Sequence, residues 1–340
     1  MNISVGTPRA VETIEIAGQA VARHYGDPAA EFAAAQGGAV VVMRSQEGRL
    51  RAVGRDRLDL LHRMSTNDLV GLAAGEARPT VLTTAIARIV DLVWVLNRGE
   101  TVLCLTGPGR ATAVRRWLAG YIFYNDKVKF EDAGAELGQL GLFGPKAKGV
   151  AEALQPGAAA LAENHFIDTG DVVVLRGRPL AGDGYTLIAP ADRMDALWER
   201  TVAAGAVPAG AEVYEMLRLQ AGVPGNAELT GDYIPLEANL WGAVDFKKGC
   251  YIGQEIIARM ESRGKLARRL AGIKLSAPVT EGAEVTAADG GQAIGKVTSA
   301  GSLPGYGPVA LAYIKTAQAE VGARVKVGAA EGEVVVLPFS

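Results

Sequence analysis

Apolar residues recur along the chain with two spacings, and each spacing predicts a different element. Short apolar or alternating runs bounded by Gly, Pro and Asp predict strands, and apolar residues three and four apart predict helices. Asp27 before Pro28 reads as a helix cap and first turn, and Gly37-Gly38 as the end of that helix. Residues 39–44 and 49–53 then read as a hairpin of two strands. Leu58, Leu61 and Met64 put residues 55–64 on a helix. Residues 80–84, 89–96 and 101–106 are strand-like, with Gly99 in a turn, and Gly107-Pro108-Gly109 introduces a helix through Leu118. Residues 145–154 read as a helix, and 171–175 and 185–189 as strands. Residues 190–204 carry Met194, Leu197, Trp198 and Val202 on one helical face, and the helix at 211–221 stops at Gly222.

After Arg269 the rhythm changes. Short apolar strands at 270–275, 292–298, 309–314, 323–327 and 333–336 alternate with Gly, Pro and Asp turns. That spacing predicts a small antiparallel barrel or sandwich. The fold class expected is α+β, with a body over residues 1–265 and an all-β domain over 266–340.

Composition narrows the function without naming it. The chain has 340 residues, 35 Lys plus Arg against 37 Asp plus Glu, and a net charge of -2. That balance gives no reason to expect nucleic acid or a membrane surface as partner. The two cysteines, Cys104 and Cys250, and three histidines, His24, His62 and His165, are too dispersed for a local metal motif, so no metal is expected. Two thiols cannot supply four ligands to an iron–sulfur cluster. Low cysteine use and the charged residues Arg9, Glu12 and Glu15 near the N-terminus, which leave no apolar signal core, point to the cytoplasm.

Four segments could carry chemistry. Cys250 follows Lys247 and Lys248 and precedes a helix start, a setting that favours the thiolate; a loop cysteine that merely packs is the alternative. Asp91 is a single carboxylate in the apolar run Ile89-Val90-Asp91-Leu92-Val93. An unpaired buried charge there would cost several kcal/mol. It must therefore face a cleft, where it would stabilise positive charge on a substrate, pair with an arginine such as Arg88, or be protonated. Asp183, between Gly182 and Gly184, either binds a donor-rich heterocycle or makes the turn. Ser65-Thr66-Asn67-Asp68 contacts a ligand or caps the neighbouring elements, with capping favoured. The basic run Lys247, Lys248, Arg259, Arg263, Lys265, Arg268 and Arg269 suits an anionic ligand tail or an acidic partner, and a solvated face is the default. Cys104, inside Val102-Leu103-Cys104-Leu105, reads as an inert core thiol.

Several segments together resemble the superfamily of the glycine-cleavage aminomethyltransferase, the T-protein, and its YgfZ-type folate-binding relatives. They are Gly54-Arg55-Asp56-Arg57 with Thr66-Asn67-Asp68, Arg88-Ile89-Val90-Asp91, Leu217 to Gly222 with Pro235-Leu236-Glu237-Ala238, and Gly295 to Ser299 with Ala310-Leu311-Ala312. The run Lys248-Gly249-Cys250-Tyr251-Ile252-Gly253-Gln254-Glu255 is similar to the signature of the YgfZ branch.

The resemblance implies a three-lobed, cloverleaf-like fold, two interleaved α+β lobes and a C-terminal antiparallel β-barrel, around a central folate channel. It implies tetrahydrofolate, or a one-carbon derivative of it, as cofactor. Asp91 and Cys250 are then the catalytic candidates. Asn67, Thr106, Asp183, Glu237, Lys248, Tyr251 and Gln254 are the candidates for binding the folate. For the YgfZ branch the implied role is assembly or repair of iron–sulfur proteins, with client or assembly proteins as partners. For the T-protein it is folate-dependent aminomethyl or one-carbon transfer. Three positions depart from the T-protein pattern: Gly182 stands at a pteridine-binding glutamate, Thr106 at an asparagine, and Ala87-Arg88 at a glycine pair. The pterin contact then falls to Asp183 or to Glu237.

Overall fold

The computed structural model describes residues 12–264 and 266–340. The start of the N-terminal stretch read for a signal, Lys265 of the basic run and the Arg263 side chain lie outside the described residues. The chain divides into two compact units, Met1–Thr80 with Asp91–Tyr214, and Val81–Val90 with Glu215–Ser340.

In chain order the first unit begins with β1 (Glu12–Ile16), β2 (Gln19–His24), α1 (Pro28–Gly37), β3 (Val40–Met43), β4 (Glu47–Val53) and α2 (Arg57–Arg63). There follow β5 (Ala77–Thr83), β6 (Ile89–Asn97), β7 (Val102–Pro108), α3 (Ala111–Ala119), β8 (Lys129–Asp132) and β9 (Leu137–Gly144). The hairpin tip between β5 and β6 is counted with the second unit. Next come α4 (Ala147–Leu154), β10 (Phe166–Asp168), β11 (Val173–Arg176), β12 (Asp183–Pro190), α5 (Met194–Ala203), β13 (Val207–Pro208) and α6 (Ala211–Ala221), whose residues from Glu215 onward are counted with the second unit.

Two sheets organise this unit, one ordered β5-β6-β7-β4-β8 and the other β10-β11-β12-β9-β3-β13. Leu96, Leu103 and Leu105 of the first sheet share a buried core with Phe166, Leu175 and Ile188 of the second. Leu140, Leu142 and Leu187 belong to another core, closed by Val150 and Leu154 of α4 and by Leu197 and Trp198 of α5. The amphipathic spacing of residues 194–203 therefore does what it predicts. The start of α1 also follows its local code: Asp27 accepts the Ala29 N–H at 2.9 Å and Pro28 opens the helix.

One local expectation fails. β3 and β4 do not pair as a hairpin, because β3 joins β9 and β13 whereas β4 joins β7 and β8. Both strands are almost wholly buried, so each needs partners on both edges and goes to a different sheet. The link between them is a tight polar turn, in which the Arg44 N–H reaches the Gln139 carbonyl and the Glu47 N–H reaches the Arg44 carbonyl.

The second unit contains α7 (Gln254–Arg263) and six strands, β14 (Arg268–Leu275), β15 (Glu284–Ala287), β16 (Ala293–Leu303), β17 (Gly307–Lys315), β18 (Arg324–Val327) and β19 (Ala330–Val335). The strands close into a barrel in the order β14-β17-β16-β15-β18-β19, with every neighbour antiparallel and β14 pairing β19 to complete the ring. Closure removes the exposed edges that a sandwich of such short strands would leave. Ile273, Val285, Val297, Ala312, Val325 and Val334 fill the interior.

Candidate functional site

In the first unit the site is built around Asp91. Along β6 burial alternates, and Asp91, Val93 and Val95 fall on the buried side. Asp91 is 1% exposed. Its Oδ2 accepts the Gly107 N–H at 3.2 Å from the end of β7. Burial is the dominant influence and pushes its pKa from 3.8 up to about 6. The Gly107 N–H, Arg110 and the Leu92 N–H oppose that rise, while the charge of Glu47 adds to it. A carboxyl near 6 can hold or release a proton close to neutrality, as acid–base chemistry needs.

Thr106 precedes Gly107 and is buried, its hydroxyl directed to the Gly107 carbonyl at 3.2 Å. A Cβ at Gly48, its partner on β4, would lie 2.2 Å from the Thr106 Oγ1. Asp91 and Thr106 thus meet at the Gly107 peptide. Asp183 opens β12, with its carboxylate 3.3 Å from the Arg176 guanidinium. Asn67 spends its side chain locally: it donates to the Pro79 carbonyl at 2.9 Å and accepts the Asp68 N–H at 2.9 Å.

The sequence reading missed the strongest electrostatic feature of this unit. Glu47, with a side chain 1% exposed, accepts from both Arg44 and Arg178. Arg44 Nη2 lies at 2.6 Å, and Arg178 Nη1 and Nη2 lie at 2.9 and 3.2 Å in a forked pair. The Gln139 Nε2 donates to the same carboxylate. Burial works against the charge of Glu47, but Arg178 and Arg44 outweigh it and hold its pKa at about 2. The Arg44 guanidinium also lies 3.4 Å from the centre of the Tyr214 ring. Glu47 hides in a polar turn and Arg178 in the loop between β11 and β12, so neither carries a periodic signal. Three further buried atoms beside this cluster have no partner, Gln46 Nε2, Gln46 Oε1 and Gln139 Oε1.

In the second unit the Lys248–Glu255 segment is a loop that runs into the first residues of α7. Asp245 Oδ1 accepts the N–H groups of Lys247 and Lys248 at 2.7 and 3.2 Å. Tyr251 is buried with Ala87, Ile234, Leu236, Val244 and Ile257. The Lys248 ammonium sits 4.8 Å from the Tyr251 ring centre and is itself largely buried, so this member of the basic run is not on a solvated face. Burial, with Asp245 adding to it, pushes the Tyr251 hydroxyl up to about 12.

Gly253 caps α7 with φ +83°, and a Cβ there would lie 2.7 Å from the Thr84 carbonyl oxygen. The Thr83 hydroxyl donates to the Ile252 carbonyl at 2.9 Å. Gln254 is the first residue of α7, and its N–H reaches the Tyr251 carbonyl at 3.3 Å. Within this frame Cys250 is exposed, whereas Cys104 is buried and its thiol is pushed up to about 12 by burial. Glu237 accepts the Ile234 N–H at 3.2 Å and lies 3.4 Å from Arg268. Arg88 directs its guanidinium to the Asp232 carbonyl at 2.7 Å. Among the described residues no three His, Cys, Asp or Glu side chains group as metal ligands. No helix among them is long and apolar enough to cross a membrane.

Comparison with known proteins gives consistent matches. The family described as the GCVT N-terminal domain matches residues 9–248, and the glycine cleavage T-protein C-terminal barrel domain matches residues 268–339. A putative chloroplastic transferase of Arabidopsis thaliana is 33% identical over 300 residues, covering 86% of this chain and 68% of the relative. An aminomethyltransferase of Geobacillus kaustophilus is 30% identical over 331 residues, covering 93% and 90%. The crystal structure of the glycine cleavage system aminomethyltransferase T from Bartonella henselae superposes with a TM-score of 0.88 at 23% identity, covering 97% of this chain and 94% of that one. The last likeness concerns the fold.

Proposed function

The chain belongs to the glycine-cleavage T-protein family, and from that membership we propose that it binds a reduced folate and serves folate-linked one-carbon chemistry. The donor set around Asp91 fits such a ligand. Asp91 is a buried carboxyl whose pKa burial pushes up to about 6, and the charge of Glu47 acts on it; Gln139, bound to Glu47, and the adjoining Gln46 carry buried amide atoms without partners. A heterocycle with alternating donors and acceptors would satisfy such atoms. Asp91, Gln46 and Gln139 are the residues that would hold it in the first unit, and Asp183 remains the sequence candidate for the pterin contact. Tetrahydrofolate, when bound, takes up or delivers the one-carbon unit.

Within the family we favour the YgfZ-like role, support for the assembly or repair of iron–sulfur proteins. The observation that carries this reading is Cys250, exposed on a loop that is tied by the buried Tyr251 ring and by the Asp245 carboxylate. An exposed thiol is suited to transient contact with a partner's cluster or thiol, and two cysteines cannot by themselves supply four cysteine ligands to a cluster. The test has two parts. Purified protein is titrated calorimetrically with tetrahydrofolate and its methyl and formyl derivatives. The Cys250→Ser variant is then expressed in a strain lacking the protein. Reduced folate should bind at micromolar concentration, and the serine variant should fold and bind folate yet leave iron–sulfur enzyme activities low. Normal cluster-enzyme activity in the deletion strain would refute the role.

A second reading, one-carbon transfer by this chain itself, is favoured by Asp91. A buried carboxylate is well suited to stabilise positive charge developing on a transferred group. Turnover that persists in Asp91→Asn would exclude it.

A further inference from the structure

We propose that Arg178 is a ligand-binding residue that anchors a carboxylate of the small molecule bound beside Asp91. This deepens the folate reading and rests on it for the identity of the second group in the site, but the arginine's role stands on its own geometry.

Three observations point the same way. First, Glu47 is shared. Arg44 and Arg178 both bind the single Glu47 carboxylate, so two guanidinium groups divide one buried negative charge. A guanidinium that shares its partner keeps affinity for a second carboxylate.

Second, Arg178 has donors to spare. Its fork spends one hydrogen of Nη1 and one of Nη2 on Glu47, and no other hydrogen bond or ion pair to it exists among the described residues. Nε–H and the remaining Nη hydrogens are left over. Arg178 is also the accessible member of the cluster, with 28% of its side chain exposed against 6% for Arg44 and 1% for Glu47.

Third, the backbone is held in an unusual state to aim this side chain. Arg178 has φ +61°, a left-handed conformation that disfavours a long side chain by about 1 kcal/mol or more. The loop carrying it is closed at its neck by the Gly177 N–H on the Gly184 carbonyl at 3.0 Å. A Cβ at Gly184 would lie 2.7 Å from the Arg178 carbonyl oxygen. Neutralising Glu47 does not require this arrangement, because Arg44 and Gln139 already bind that carboxylate.

A guanidinium within electrostatic reach of a carboxyl group complements a ligand with a carboxylate at one end and an amine or amide at the other. The carboxylate comes either from the glutamyl tail of the folate or from a separate amino-acid donor of the one-carbon unit.

The experiment uses the full chain as wild type, Arg178→Gln, Arg178→Lys and Glu47→Gln. Each is titrated calorimetrically with tetrahydrofolate, with 6-methyltetrahydropterin, which lacks the glutamyl tail, and with glycine. Circular dichroism and thermal melting establish that each variant is folded. Arg178→Gln should lose about tenfold or more in affinity for one carboxylate-bearing probe while its affinity for the tail-free pterin stays unchanged. Arg178→Lys should recover part of the loss, and Glu47→Gln, which frees the fork, should bind the carboxylate more tightly. A loss confined to tetrahydrofolate assigns the tail, and a loss confined to glycine assigns a separate donor. If pterin and tetrahydrofolate both fail to bind wild type, the folate reading falls and glycine alone decides the role of Arg178. Equal affinities of wild type and Arg178→Gln for both carboxylate probes overturn the proposal, as does tighter binding by Arg178→Gln, which would make the arginine an obstruction.

Discussion

Replacing Asp91 with asparagine should stabilise the first unit at neutral pH, by an amount that builds up between about pH 4 and 6 and is level above. Folding raises the Asp91 pKa from 3.8 to about 6, so the folded state holds this proton more tightly than the unfolded chain does. The sign follows from proton linkage. Between those two values the folded state carries the extra proton, so stability falls as pH rises through about 4 to 6 and is level above that window. At about 1.4 kcal/mol per pH unit the rise corresponds to about 3 kcal/mol lost by wild type at pH 8 relative to pH 3.5. Asparagine has no proton to lose, and its carbonyl can still accept the Gly107 N–H. Contributions from other carboxyl groups, including Glu47 with its opposite displacement, cancel between the two proteins. The difference in stability should therefore be small near pH 4 and about 3 kcal/mol in favour of the variant at pH 8. Trp94, Trp117 and Trp198 lie in the first unit, so urea unfolding followed by tryptophan fluorescence reports mainly on it. With urea slopes of about 1–3 kcal/mol per molar, the gap is a midpoint shift of about 1 M or more. A midpoint difference that is the same at pH 4 and pH 8 would refute the reasoning, because burial of the charge is its whole basis.

Three other outcomes are expected. Gly253→Ala forces a Cβ toward the Thr84 carbonyl at a positive φ, and should cost about 1–3 kcal/mol in the second unit; hydrogen exchange should accelerate at residues 250–256 and leave the barrel amides slow. Glu228→Ala removes a wholly buried carboxylate that binds Arg218, the Gly225 N–H and the Ser299 hydroxyl, and should destabilise that unit by about 3–5 kcal/mol in chemical denaturation, because Arg218 is itself buried. Titration with a chromogenic disulfide should count one thiol in native protein and two after denaturation, since Cys250 is exposed and Cys104 is sealed in β7; two fast thiols in the native state would contradict the fold there.

The sequence and the structure agree where a property is local and part where it is not. Asp91 was legible because it interrupts an apolar alternation, and period two puts position 91 on the same buried side as Val93 and Val95. The strand spacing after Arg269 was equally legible, and barrel closure follows from the need of short strands to hide their edges. The β3–β4 link reads as a hairpin because a short polar segment between two apolar runs signals one whether or not the strands pair. What separates the two cases is burial on both faces, which depends on partners more than 90 residues away, such as the β9 strand alongside β3. The Glu47 network was invisible for the same reason. Its hydrogen bonds join positions 92 and 131 residues apart, and each member taken alone is an ordinary turn or loop residue. A single arginine between Gly177 and Pro179 gives no sign that its backbone is left-handed or that a buried carboxylate waits for it. Charge pairs of this kind have no sequence period, because they are set by which loops the sheet order brings together. If Arg178 anchors a ligand carboxylate as proposed, the residues hardest to find in the chain are the ones on which its ligand specificity should turn.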